Sequence, residues 1–300
     1  MTDVPTGRSK TSRQDICPIC GASAAATLRK GPWDYGLCAG CGHGFLLQPA
    51  VDPVEFYGAD YFCGNLPGGY DDYARDESFH RAIANARIAR LRKAGLAPPA
   101  LVAEIGCAYG FGLLEWIRNG FTVAAAEISN HARAEAERRL GQRLYATSAE
   151  LARASNGRCD AVALFQVLEH IEDARSTLRD CAQMLRPGGW LAIETWDRGS
   201  VIAKLFGARW QQVAPPAVVH LFSRESLSRL LVQEGFTQVQ LKRFSKPIPI
   251  RFALEQAARS YPAVAAIARM ASPIVPRRWG VRYLGDDLVF CIARKQSLGA

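Results

Sequence analysis

Glu104-Ile105-Gly106-Cys107-Ala108-Tyr109-Gly110-Phe111-Gly112 joins an apolar run, LVAEIG at 101–106, to a helical pattern at 110–119. Glycines at 106 and 110 let the backbone turn sharply and approach a ligand closely. The next apolar run, FTVAAAE at 121–127, closes on Glu127, 17 residues after Gly110. A carboxylate there can accept hydrogen bonds from both hydroxyls of a ribose. Together the turn and the acidic strand end point to a cofactor that carries a nucleoside.

Downstream, strand and helix patterns alternate. Ser129 or Asn130 can cap a helix that runs to Leu140. A short strand near Arg143–Tyr145 and a helix near 148–155 follow, then a strand at 161–167 and a helix at 173–185. A further strand, 190–196, follows the turn Pro187-Gly188-Gly189; a helix at 223–234 and strands at 237–244 and 287–293 complete the pattern. Apolar strands separated by amphipathic helices predict an α/β, doubly wound sheet covered on both faces.

Upstream, Cys17, Cys20, Cys38 and Cys41 form two C-x2-C pairs, CPICG and CAGCG. They predict a tetrahedral thiolate site for structural Zn2+, since four thiolates leave no position open for water. His43 is expected as a neighbour of the site and not a fifth ligand. Cys63, Cys107, Cys159, Cys181 and Cys291 are scattered singles; an odd total without a secretory signal argues against a disulfide framework.

The 300 residues are 49% apolar and 22% charged, a globular composition. No uncharged apolar run reaches 18 residues, and the polar start is not a secretory signal, so a cytoplasmic protein is expected. The net charge of +9 is concentrated at the end: residues 242–300 hold 11 basic and 3 acidic side chains. That distribution suits a local anion-seeking surface and not a general coat for nucleic acid. The expected organisation is a disordered tail (1–15), a zinc-binding module (16–50), a linker or helical flap rich in aromatics (51–98) and a cofactor-binding domain (99–295). A basic, apolar insertion at about 247–285 interrupts the last two strands. It suits an interfacial helical hairpin on anionic lipid at the inner membrane face, a dimer contact or a lid.

EIGCAYG resembles the first motif of class I S-adenosylmethionine-dependent methyltransferases. CDAVALFQVLEHIED (159–173) followed by LRPGGWLAIET (185–195) resembles the fourth- and fifth-strand segments of that family. HLFSRESLSRLLVQEGF (220–236) and GDDLVFCIARK are similar to its sixth-strand helix and closing strand. The four-cysteine start with YGADYF (57–62) resembles a subgroup of sugar and secondary-metabolite methyltransferases. One departure is Ala108, where the family usually has glycine. The competing dinucleotide reading lacks its G-x-G-x-x-G over 106–112.

The resemblance implies a seven-stranded Rossmann-like sheet with an antiparallel last strand. It implies S-adenosyl-L-methionine as cofactor, its methionine part cradled by Glu104, Gly106, Ala108 and Gly110. Glu127 would hold the ribose, Ile128, Ser148 and Ala149 the adenine, and Phe165 and Gln166 the sulfonium end. His170 and His220 are the candidate catalytic bases for a hydroxyl acceptor. Trp196 and Trp210 are candidates to line the acceptor site. The acceptor is expected to be a small molecule, a sugar, lipid-linked glycan or secondary metabolite, with O-methylation favoured. An RNA methyltransferase and a non-catalytic binding protein of the same fold are the alternatives; RNA contact would be steeply salt-dependent.

Overall fold

The computed structural model describes residues 15–49, 51–64, 66, 69–260, 265–267, 270, 274–276 and 279–297. The expected tail, except Asp15, lies outside them. So do Pro262, Arg269, Pro273, Arg277 and Arg278 of the insertion.

Strands β1 (Ala24–Lys30), β2 (Trp33–Cys38) and β3 (Gly44–Leu46) form an antiparallel meander around the cysteines. Short helices α1 (Pro53–Phe56) and α2 (Ala59–Phe62) follow, then the long α3 (Glu77–Lys93). The alternating region is β4 (Leu101–Ile105), α4 (Phe111–Arg118), β5 (Thr122–Ala126), α5 (Asn130–Leu140), α6 (Ser148–Ser155), β6 (Cys159–Phe165), α7 (Ala174–Met184) and β7 (Leu185–Trp196). After it come α8 (Val201–Phe206), β8 (His220–Leu221), α9 (Arg224–Gln233), β9 (Phe236–Arg243), β10 (Pro247–Pro249), α10 (Ile250–Ser260), β11 (Gly280–Arg282) and β12 (Leu288–Lys295).

The main sheet has the order β5-β4-β6-β7-β12-β9. β4, β5, β6 and β7 pair in parallel, and β12 runs antiparallel to both β7 and β9. The strand expected at Arg143–Tyr145 is reduced to one parallel bridge, Ala126 to Tyr145. Tyr145 still donates to Ala125 O and accepts from Glu127 N, so it occupies the seventh position with a single residue. The turn Pro187-Gly188-Gly189 lies inside β7. There the pairing jumps from Cys159–Leu185 to Ala161–Trp190, an irregularity that the left-handed Gly188 (φ 69°) accommodates.

Alternation along β4 sends Val102 to one face and Ala103 and Ile105 to the other. One face packs with Ile88 and Leu91 of α3 and with Leu113 and Trp116 of α4. The other packs with α6, α7 and α9, and its core extends to Cys17, Ile19 and Phe45 of the cysteine module. The helix starts are sequence-coded. Ser129 accepts from Ala132 N, Asp173 from Ser176 N, and Ser223 from Ser226 N within a capping box.

The cysteine module is not closed on itself. β8, from the loop after β7, supplies the fourth strand of its sheet through the pairs Gly44–Leu221 and Phe45–His220. The insertion is closed at its base by the β10–β11 ribbon. Gly280 of that ribbon sits where a Cβ would come 2.5 Å from the Phe79 ring, so the ribbon lies against α3.

Candidate active site and metal centre

At the carboxyl ends of the parallel strands, three consecutive features shape the turn after β4. Gly106 has φ 73°, and a Cβ there would meet Val167 Cγ2 at 2.5 Å. Ala108, at φ 48°, takes the left-handed conformation that glycine adopts at less cost. Gly110, at φ 77°, starts α4.

Glu127 grips this turn. Its Oε2 accepts from Ala108 N at 2.8 Å and its Oε1 from Ser129 N at 2.9 Å. Burial pushes its pKa up, against those two amides. Glu104 is buried beneath, accepts from Trp116 Nε1 at 3.1 Å, and is pushed by burial to about 7. Ile128 is half-buried beside Glu127. Ser148 and Ala149 open α6 after the Tyr145 bridge, with the Ser148 hydroxyl donating to Asp180 at 2.6 Å. Phe165 ends β6, and Gln166 follows in a left-handed conformation at φ 58°. The residues singled out for the cofactor therefore share one edge of the sheet.

Three residues that the sequence reading passed over lie at the same edge. Glu194, near the carboxyl end of β7, is fully buried. Its Oε2 accepts from Arg87 Nε at 2.7 Å and its Oε1 pairs with Lys246 Nζ at 3.2 Å. Lys246 also donates to Gln166 Oε1 at 2.7 Å, and Arg87 lies 4.4 Å over the Phe165 ring. Burial alone would raise Glu194, but Arg87 and Lys246 outweigh it and hold its pKa below the usual carboxylate value. A charged residue inside the otherwise apolar strand WLAIETW was the one signal available for this cluster.

Aromatics from 56–73 pack over this edge. Phe62 stacks on Tyr109 at 5.2 Å, and Tyr73 stacks on His80 at 4.1 Å. His80 is driven down to about 3 by burial and by Arg87 and Lys246.

The two candidate bases differ. His170 Nδ1 sits 2.8 Å from Ala217 O and donates to it. Its ring lies 6.1 Å from that of Tyr57. His220, in contrast, has both nitrogens engaged. Nε2 donates to Glu172 O at 3.1 Å, which leaves Nδ1 to accept from His43 Nε2 at 3.1 Å. Burial pushes it down to about 4. Placed in β8, it links the cysteine module to the main domain. Trp210 is likewise tied away, its indole N–H donating to Asp287 at 2.8 Å. Among the described residues, a cavity of about 10 Å³ lies between Glu169, Thr195, Trp196, Trp210 and His220. Among the described residues, both Glu169 oxygens and the Thr195 hydroxyl lack hydrogen-bond partners, and burial raises the Glu169 pKa.

The ligand atoms of Cys17, Cys20, Cys38 and Cys41 lie within 4.8 Å of one another. Cys17 and Cys41 sulfurs are 3.6 Å apart, and those of Cys20 and Cys38 are 3.4 Å apart. Sulfurs about 2.3 Å from a tetrahedral zinc stand roughly 3.8 Å from each other, so the donor set fits Zn2+ closely. Gly21 and Gly42, both left-handed, donate back to Cys17 O and Cys38 O and close the two knuckles. His43 is outside the cluster.

The architecture and this edge define the class: a parallel sheet ending in an antiparallel strand, with a glycine turn and an acidic strand end at its ligand edge. A family model for the methyltransferase domain matches residues 73–241, and the chain belongs to that family. It is an S-adenosylmethionine-dependent methyltransferase. A ubiquinone biosynthesis O-methyltransferase of Parvibaculum lavamentivorans is 35% identical over 103 residues, which are 32% of this chain and 40% of that protein. One from Aromatoleum aromaticum is 32% identical over 162 residues, 50% of this chain and 69% of that protein. The chain thus spans less than half of the first relative and about two thirds of the second. Among solved structures, phosphoethanolamine N-methyltransferase 2 of Haemonchus contortus, in complex with S-adenosyl-L-methionine, has a TM-score of 0.51 at 15% identity. The alignment covers 91% of this chain and 71% of that one, a likeness in fold.

Proposed function

We propose that this chain O-methylates a small biosynthetic acceptor at the carboxyl edge of its sheet. The observation that carries the reading is Glu127 fixed by two amides against the turn from Gly106 to Gly110, with Glu104 buried beneath. Each Glu127 oxygen keeps a lone pair for a ribose hydroxyl. Glu104, Gly106, Ala108 and Gly110 would hold the methionine part of S-adenosylmethionine. Ile128, Ser148 and Ala149 would border the adenine, and Phe165 and Gln166 the methyl-bearing end. Once bound, the cofactor supplies a methyl group activated on sulfonium sulfur. The protein must align an acceptor oxygen with it and exclude water, tasks that suit the aromatics of 56–73. His170, whose Nδ1 donates to Ala217 O, would take the proton of a hydroxyl acceptor on Nε2. His220 is no longer proposed as a base, because both of its nitrogens are engaged.

Two relatives named as O-methyltransferases support transfer to oxygen. The four-cysteine module would brace the domain and not bind the acceptor, as its sheet takes a strand from the domain itself. No helix among the described residues is long and apolar enough to cross a membrane. Contact with a membrane surface is supported instead by Ile267, Met270, Ile274, Trp279 and Leu284, all exposed in the insertion. Calorimetric titration of S-adenosylhomocysteine tests the cofactor site. Micromolar binding supports it, and no binding by folded, zinc-loaded protein defeats it. Sedimentation with anionic vesicles at low salt tests the surface contact.

A further inference from the structure

Glu194 is one carboxylate shared by two cations, Arg87 on Oε2 and Lys246 on Oε1. The cluster therefore carries one excess positive charge, and the side chain of Lys246 is only 10% exposed. Burial raises the pKa of the two further acids near it, Glu104 and Glu169. His80 is neutral at physiological pH, and burial raises the pKa of Tyr70 and Tyr73, which also face Arg87. An ammonium has three protons, and two of those of Lys246 are taken, by Gln166 at 2.7 Å and Glu194 at 3.2 Å. A buried cation in excess costs free energy until an anion meets it. Lys246 sits 5.4 Å over the Trp196 ring and next to Gln166, at the methyl-bearing end of the proposed cofactor site.

We propose that the third N–H of Lys246 holds the acceptor by an oxyanion, so that the enzyme selects acceptors carrying an ionised hydroxyl or a carboxylate over neutral alcohols. This rests on the cofactor assignment above. Neutral sugars then fall out of the acceptor range, and Lys246 becomes a specificity-determining residue that touches substrate. It lies three residues past the end of β9 and immediately before the β10–β11 ribbon, so the basic insertion begins at the acceptor.

The test uses protein loaded with S-adenosylhomocysteine, which carries no sulfonium charge and so leaves the oxyanion to Lys246. The probes are 4-nitrophenol, whose bound ionised form is read by its absorbance, and 4-nitrobenzoate, read by calorimetry; the two arms separate hydroxyl from carboxylate. At least one probe should bind as its anion. Lys246→Met should weaken that binding by about tenfold or more while S-adenosylhomocysteine affinity holds, and Lys246→Arg should restore part of it. The proposal is overturned if neither probe binds, or if Lys246→Met binds them like wild type. It is also overturned if Lys246→Met loses S-adenosylhomocysteine and probe together, which would make the lysine a brace of the cofactor site. A wild type that takes no S-adenosylhomocysteine fails the cofactor assignment itself, a separate reading in the same titration.

Discussion

Glu127 Oε2 accepts the amide proton of Ala108 at 2.8 Å, so the end of β5 holds the turn that follows β4. Removing the carboxylate frees that turn and deletes two ribose acceptors. Glu127→Ala should weaken S-adenosylhomocysteine binding by about a hundredfold, roughly 3 kcal/mol. Glu127→Gln, which keeps one oxygen, should lose less. An alanine variant with wild-type affinity in calorimetry would end the ribose assignment.

Gly106 has no room for a side chain. Gly106→Ala sets a methyl 2.5 Å from Val167 Cγ2 at a left-handed φ of 73°. It should cost about 2–4 kcal/mol by denaturant unfolding and shift Gln166 with Val167. The double variant Gly106→Ala/Val167→Ala relieves the clash but not the backbone strain. It should therefore show a positive coupling without full recovery.

Ala108 is the converse case. Its φ of 48° places a Cβ where glycine pays less, so Ala108→Gly should stabilise the protein by about 0.5–1 kcal/mol, net of the extra freedom of the unfolded chain. A Tm at or below that of wild type would show that the surrounding turn removes the strain.

Glu104 makes stability depend on pH. Its folded pKa is about 7 against an ordinary 4.5, so the folded state keeps a proton that the unfolded state releases between those values. The contribution is fully present below pH 4.5 and is lost as pH rises through 7, on the order of 3 kcal/mol. Glu104→Gln should flatten the fall in stability over that window. An unchanged slope in urea melts at stepped pH would refute the assignment.

Metal removal should be felt across the whole fold. The purified protein is expected to hold one zinc, and chelation or Cys38→Ser should lower Tm by more than about 10 °C. The reason is that the knuckle after Cys41 is tied to α9: Ser223 Oγ donates to Cys41 O at 3.0 Å. A metal-free protein that melts at the wild-type temperature would contradict this.

The strand and helix order from 101 to 195 was legible because both faces of a parallel sheet are buried, which leaves continuous apolar runs. The turn at Gly106 and Gly110 and the four cysteines were legible because their chemistry restricts residue type at fixed spacing. Less visible were features made by distant segments. Glu194 stood out in an apolar strand, yet its partners Arg87 and Lys246 lie 107 and 52 residues away. The engagement of His220 depends on His43, 177 residues earlier, so its expected role beside the acceptor could not be judged from its own neighbourhood. Where the sequence predicts a short strand at Arg143–Tyr145, the single bridging residue Tyr145 satisfies the edge of β5.

β8 gives the practical boundary of the molecule. A chain started at residue 73, where the family match begins, would remove the partner strand of His220 and Leu221 and uncover Phe222. It would present a bare strand edge beside an apolar face, the arrangement that leads to intermolecular pairing and aggregation. The unit to express is therefore the cysteine module together with the methyltransferase sheet.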